Sequence, residues 1–348
     1  MRTIVKFLFL FLLNPVILLA DAILLNGSAG YVRGKNVYEF AYIPNYMSYT
    51  YGNQRFPALG GGSRITYNRD FKQIGLGMVY IGNKFDLGIQ GKTSGSYQSS
   101  GSAIDEDFYT NSSSQARSRR LIPPFYTLGF PTHTPYLFKG LNNFAYSKGE
   151  NEVINREINL NYRYFFDKAS PDPWTESFGL YLISSIDYAY YKYKISDSFF
   201  FYNSPSITYF SPLPWINITY SNSYLSGGVG LGIMYSIGNW SFDGSIQATR
   251  SEMKSRDFHV LRNLTIFHTY KGYGYIHKSS LSYKLDKSYL IKFSIIQTRA
   301  YLDGTSKYRP RGNIKEFLNS LDGSRNTIYN GLKDVYFELT LSRKFLLK

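Results

Sequence analysis

Two short stretches hold the residues best suited to chemistry. Ile104 to Phe108 reads IDEDF and Ser255 to Val260 reads SRDFHV, so each sets two ionisable side chains two residues apart: Asp105 with Asp107, and Asp257 with His259. In extended backbone successive side chains alternate between faces, so the members of each pair share one face. A histidine beside one carboxylate, faced by two more, can take a proton from a water molecule and direct that water at an electrophile. The same residues also read as solvated loop acids or a cation site, and the pattern turns catalytic only where the fold unites the two stretches. Other chemistries lack their equipment: the chain has no G-x-S-x-G elbow, no H-E-x-x-H pair, no phosphate loop and no cysteine. His133, His268 and His277 have no recognisable partner in sequence and read as surface or rim polar groups.

The elements that must position these residues are strands. From about Leu25 onward apolar and polar residues alternate in segments longer than the roughly six residues usual for soluble strands. Between Ile154 and Phe166 one face carries Ile154, Ile158, Leu160, Tyr162, Tyr164 and Phe166, interrupted by Arg156; the other carries Asn155, Glu157, Asn159, Asn161 and Arg163. The first face suits lipid and the second a polar lumen. Trp240, Phe242 and Ile246 alternate in the same way with Ser241, Asp243 and Gln247, and Leu281, Tyr283 and Leu285 with Ser280, Ser282 and Lys284.

Ten such runs are expected, near 25–43, 62–81, 85–103, 152–166, 177–196, 220–237, 240–254, 271–285, 288–303 and 332–345. Short turns at Gly82–Lys84, Asp167–Glu176, Gly238–Asn239 and Asp286–Lys287 alternate with long polar connections at 44–61, 104–151, 197–219, 255–270 and 304–331. This is the rhythm of an antiparallel transmembrane β-barrel with periplasmic turns and long extracellular loops, its last strand closing the sheet so that no edge is left. Both acidic pairs then fall just beyond strands three and seven, nearly opposite one another, where inward side chains at the rim converge across the lumen. The loop 104–151, with its Arg117–Arg120 run and proline-bearing segment 123–135, has room for an extra hairpin.

Residues 1–22 read as a signal peptide: Arg2 and Lys6, an apolar run from Phe7, and Ala20-Asp21-Ala22 as cleavage site. The expected mature chain, 23–348, is a single barrel domain. The absence of cysteine excludes a disulfide-stapled secreted fold, while 34 tyrosines, 26 phenylalanines and 30 glycines suit a barrel. The formal net charge is +15, or +14 without Arg2, Lys6 and Asp21. An exported chain of this charge meets an anionic outer leaflet rather than nucleic acid.

Asp105-Glu106-Asp107-Phe108 matches the D-x-D-W of the second outer loop of omptins, and Asp257-Phe258-His259 the D-x-H of their fourth. IGLGMVYIGNKFDLGIQGKTSGSYQSSGSAIDED, WSFDGSIQATRSEMKSRDFH and the terminal YFELTLSRKF also resemble the runs that surround those motifs. The chain thus resembles the omptin family of outer-membrane proteases over nearly its whole mature length. The resemblance implies a bacterial outer-membrane endopeptidase in which His259, oriented by Asp257, activates a water held with Asp105 and Asp107. It implies peptide or protein substrates at the cell surface, lipopolysaccharide as activating lipid, and neither metal nor other cofactor. Phe108 stands where the family has tryptophan. For basic residues beside the cleaved bond the family uses a first-strand glutamate, for which Glu39 is the candidate substrate-binding residue here, and an acid where this chain has Ser255. Glu39 is one residue out of the family's spacing, and one residue flips the face of a strand. A non-catalytic barrel, either adhesin or narrow pore, is the alternative.

Overall fold

The fold was read from a computed structural model, which describes residues 20–43, 48–51, 54–57, 61–109, 143–166, 169–204, 207–260, 263–310 and 325–347; at several strand ends only the backbone is described. Fifteen strands follow one another: β1 Ala20–Ile43, β2 Ser48–Tyr51, β3 Gln54–Pro57, β4 Gly61–Asn68, β5 Phe71–Gly82, β6 Phe85–Thr93, β7 Gln98–Tyr109, β8 Asn143–Phe165, β9 Ser177–Ser204, β10 Ile207–Leu213, β11 Ile218–Ile237, β12 Trp240–His259, β13 Leu264–Lys284, β14 Tyr289–Pro310 and β15 Arg325–Leu346. All pairings are antiparallel. β4 and β5 are two halves of one wall strand broken at Arg69-Asp70, β6 and β7 two halves of the next, and β10 folds back on the top of β9, so the wall is a closed ring of 10 strands. β15 zips to β1 from Ala22↔Leu346 to Ile43↔Arg325, which leaves the wall without a free edge.

Local chemistry sets the short-turn end. Gly238 has φ +53, the left-handed backbone that a two-residue hairpin between Ile237 and Trp240 requires. At the next turn Asp286 accepts hydrogen bonds from the backbone N–H groups of Ser288 and Tyr289, at 2.6 and 2.7 Å.

The expected faces hold. Ile158, Trp240, Phe242, Ile246, Leu281 and Leu339 are exposed on the outside, while Asn155, Ser241, Gln247 and Ser280 are buried in the lumen. On β12 the outward apolar run breaks off at Ala248, and Arg250, Lys254 and Arg256 continue the same face as exposed cations up to Phe258. The apolar belt therefore ends partway up, and the wall runs on into water.

That extension corrects the expected boundaries. Asp105 and Asp107 lie within β7, and Asp257 and His259 within β12, not in loops beyond the strands. Alternation continues there with polar residues on both faces, which hydropathy does not distinguish from loop. Likewise most of the stretch expected as a 197–219 loop is the upper β9–β10 hairpin. The stretch 110–142, with the Arg117–Arg120 run and His133, lies outside the described residues, as does most of the expected signal peptide; residues 20–22 of that segment open β1.

Candidate active site at the barrel rim

Asp105 reaches the inner face because of an irregularity. Between Ser99 and Ser102 β7 advances one residue more than β8, a β-bulge, and Gly101 inside it has φ +83. Ser100 below the bulge and Ala103 above it are both fully buried although three apart. The inserted residue thus reverses the alternation and turns Ala103 and Asp105 inward. Asp105 pairs with Ile65 of β4, whose neighbour Tyr67 also faces the lumen. Across the ring, Asp257 and His259 share the inner face of β12, with His259 Nε2 3.0 Å from Asp257 Oδ2. The Asp257 side chain is 0% exposed and that of His259 17%, so the carboxylate is locked in and the ring reaches the water above.

Packed beside them is a layer of phenols. Tyr67 stacks on Tyr220 with ring centroids 5.0 Å apart and meets Tyr193 at 4.8 Å; Tyr38 packs on Tyr220 at 5.9 Å and on His268 at 4.8 Å. Burial pushes the Tyr67 phenol well above its ordinary range, and Asp257 and Asp105 push it further. Asp105 and Asp257 thus both act on the Tyr67 phenol from separate strands, and His259 is paired to Asp257. Asp107 follows Asp105 in β7, but its side chain lies outside the described residues.

Glu39 does not join them. Its neighbour Tyr38 faces the lumen, so Glu39 points to the opposite face, where Arg64 Nε bonds its carboxylate at 2.8 Å and a further Arg64 nitrogen reaches Glu106 at 3.4 Å. Register is the reason: Glu39, Arg64 and Glu106 are direct cross-strand partners, while Tyr38, Ile65 and Asp105 form the adjacent inward row.

Sequence reasoning also missed His268. It is not a rim group but 1% exposed inside the aromatic layer, where burial lowers its pKa to about 4 against the opposing pull of Asp257. Its only sequence signal was a place on β13 two residues from Tyr270, on the same face.

Below the phenols the lumen holds a chamber of about 240 Å3 lined by charged and amide side chains, among them Glu157, Asp187, Lys278, Lys292 and Glu338. Its floor is Arg163 against Asp86 and Asp243, with Phe165 and Tyr181 packed at 5.1 Å. Among the described residues no cluster of three or more metal-ligating side chains occurs.

The fold has a clear relative among solved structures. The outer membrane protease OmpT from Escherichia coli superposes with a TM-score of 0.63 at 14% identity, over 94% of this chain and 97% of that one. The translocator domain of the autotransporter NalP from Neisseria meningitidis follows at 0.36 and 8%, over 93% and 88%, and the outer membrane protein OprG from Pseudomonas aeruginosa at 0.30 and 7%, over 94% and 98%. No curated protein sequence matches. The OmpT likeness, at that identity, establishes the barrel and not its chemistry. Residues 50–339 match the family described as "Putative porin". The protein is a barrel of the bacterial outer membrane and belongs to that porin family, on a frame it shares with an outer-membrane protease.

Proposed function

We propose that this barrel is a surface endopeptidase of omptin type. The observation that carries the reading is the Asp257–His259 pair, held at 3.0 Å on the inner wall, with Asp105 of β7 acting on the same buried phenol, Tyr67, as Asp257. In this reading His259 accepts a proton from a water directed by Asp105 and Asp107, the water attacks the scissile carbonyl, and Asp257 orients the imidazole and stabilises its protonated form. No covalent acyl-enzyme forms. Lipopolysaccharide is the proposed activating lipid, and the exposed cations above the apolar belt suit its phosphates. Arg64 on Glu39 supports a specificity that does not rest on that glutamate.

The experiment is cleavage of a random peptide library by the refolded barrel with and without lipopolysaccharide. The parent cleaves, and His259→Ala and Asp105→Ala each lose about a thousandfold or more, within the span of general acid-base contributions, while keeping heat-modifiable mobility. Equal cleavage by parent and variants rejects the reading.

The family match favours a second reading, a narrow pore running through the charged chamber. Against it stand the stacked phenols above and the Arg163 floor below. Steps of ion conductance in planar bilayers, enlarged by Tyr67→Ala, support the pore; a silent parent rejects it.

A further inference from the structure

The Asp257 carboxylate has two oxygens and the pair with His259 uses one. Oδ1 is buried with no hydrogen-bond partner among the described residues. On the adjacent strand β13, His268 stands directly opposite Ser255, which places it diagonal to Asp257 on the same inner face. Its Nδ1 lies 3.0 Å from Ser306 Oγ on β14, and its Nε2 is buried without a hydrogen-bond partner among the described residues. A serine hydroxyl that donates to Nδ1 leaves the ring proton on Nε2, since the bond at one ring nitrogen sets the state of the other. The layer then contains a buried N–H donor and a buried carboxylate acceptor on neighbouring strands, each lacking what the other offers. Tyr38 at 4.8 Å and Tyr270 at 5.8 Å hold the imidazole in this orientation.

We propose that His268 is a positioning residue for Asp257: locked by Ser306, it presents Nε2–H to Oδ1 from below through one bridging water, while His259 takes Oδ2 from above. The carboxylate is thereby fixed in one rotamer and its basicity limited, so that His259 stays neutral over more of the working pH range. Among the described residues, the titratable groups set against Asp257 are Tyr67 of β4, Tyr220 of β11 and His268 of β13, with Tyr38 of β1 and Tyr270 of β13 packed on the His268 ring and Asp105 of β7 acting on the Tyr67 phenol. The catalytic consequence rests on the hydrolase reading; the link between the two histidines through Asp257 does not.

The test is made on the refolded full barrel with 13C-labelled histidine, in which only His133, His259, His268 and His277 report. In His268→Leu, Asp257 loses its second donor and becomes more basic, so the His259 titration moves up by about 0.5 pH unit or more. The acid limb of kcat/KM moves with it, and kcat falls about tenfold at unchanged KM, the scale of a lost supporting contact. His268→Gln, which retains an N–H donor, restores both. Ser306→Ala, which releases the tautomer without opening a core position, gives the same upward shift at smaller size and serves if His268→Leu does not fold. A His259 titration that does not rise in either variant overturns the proposal. A parent that cleaves no peptide removes the hydrolase reading, and the NMR titration still decides the role of His268.

Discussion

In the lower lumen Arg163 Nε reaches both oxygens of Asp86 at 3.0 and 2.9 Å and another nitrogen meets Asp243, whose second oxygen accepts from Tyr181; higher up, Arg69 binds Asp334 at 2.8 Å and donates to Tyr193 at 2.6 Å. Around Asp257 the pattern reverses. Among the described residues Asp257 Oδ1, His268 Nε2 and Tyr67 Oη have no protein partner, and the first two are left to a shared water. A buried polar group left unsatisfied costs about 1–3 kcal/mol, so such a layer weakens the fold that contains it. The lower region is wired to hold the wall together. The rim holds charge and polar atoms ready for something that arrives, which is where functional sites concentrate such features.

The largest break in this comparison comes from the bulge. Deleting Gly101 removes the extra residue of β7 and turns Asp105 outward, while the lower network is untouched. Peptide cleavage should fall about a thousandfold with folding retained, and reinserting one residue between Ser100 and Ser102 should recover much of it. A deletion variant as active as the parent would mean that Asp105 has no role.

Arg163→Ala probes the opposite region. It strands Asp86 and Asp243 in the lumen, and breaking a buried ion pair by removing one partner costs about 3–5 kcal/mol. Urea unfolding in lipid vesicles measures the loss. The pH dependence of cleavage should stay that of the parent, because this network does not touch His259.

Much of this division was legible in the sequence, and the remainder was hidden for physical reasons. Alternation from Ile154 to Phe166 assigned most side chains their face, including Arg163 to the lumen, because a lipid belt makes the period-2 signal strong, while the apolar Phe165 on the lumen side went unassigned. Above the belt water bathes the outer wall, the contrast between faces fades, and Asp257 was read as loop. A one-residue bulge has no hydropathy signature, although Gly101 is where one would be sought. Tyr38, Tyr67, Tyr193, Tyr220 and Tyr270 were invisible as a layer, since each looks like any other aromatic in a chain with 34 tyrosines. Only register, a long-range property, assembles them and buries His268 among them.

Burial gives His268 a measurable consequence. Its folded pKa of about 4 lies below the unfolded value near 6.5, so between those values the unfolded chain binds more protons. The stability that neutral His268 preserves is present above about pH 6.5 and lost as pH falls toward 4, by roughly 3 kcal/mol at most. Urea midpoints at pH 7 and pH 4.5 should therefore converge in His268→Gln relative to the parent. An identical acid loss in both proteins would show that the ring is solvated.

The smallest expected effect discriminates most finely between the two regions, because it compares one atom in each. Tyr181→Phe removes a hydroxyl that donates to Asp243, leaving a charged acceptor short of a bond, and hydrogen bonds to charged groups contribute about 1.5–3 kcal/mol. Tyr67→Phe removes an equally buried hydroxyl that has no hydrogen-bond partner among the described residues, and with it a desolvated dipole near the carboxylates of Asp257 and Asp105. The ring stacks on Tyr220 and Tyr193 do not depend on that oxygen. Unfolding free energy should change by no more than about 0.5 kcal/mol, in either direction. A loss as large as that of Tyr181→Phe would mean that the Tyr67 hydroxyl is already bonded, and that the rim is wired by the same rules as the lumen below it.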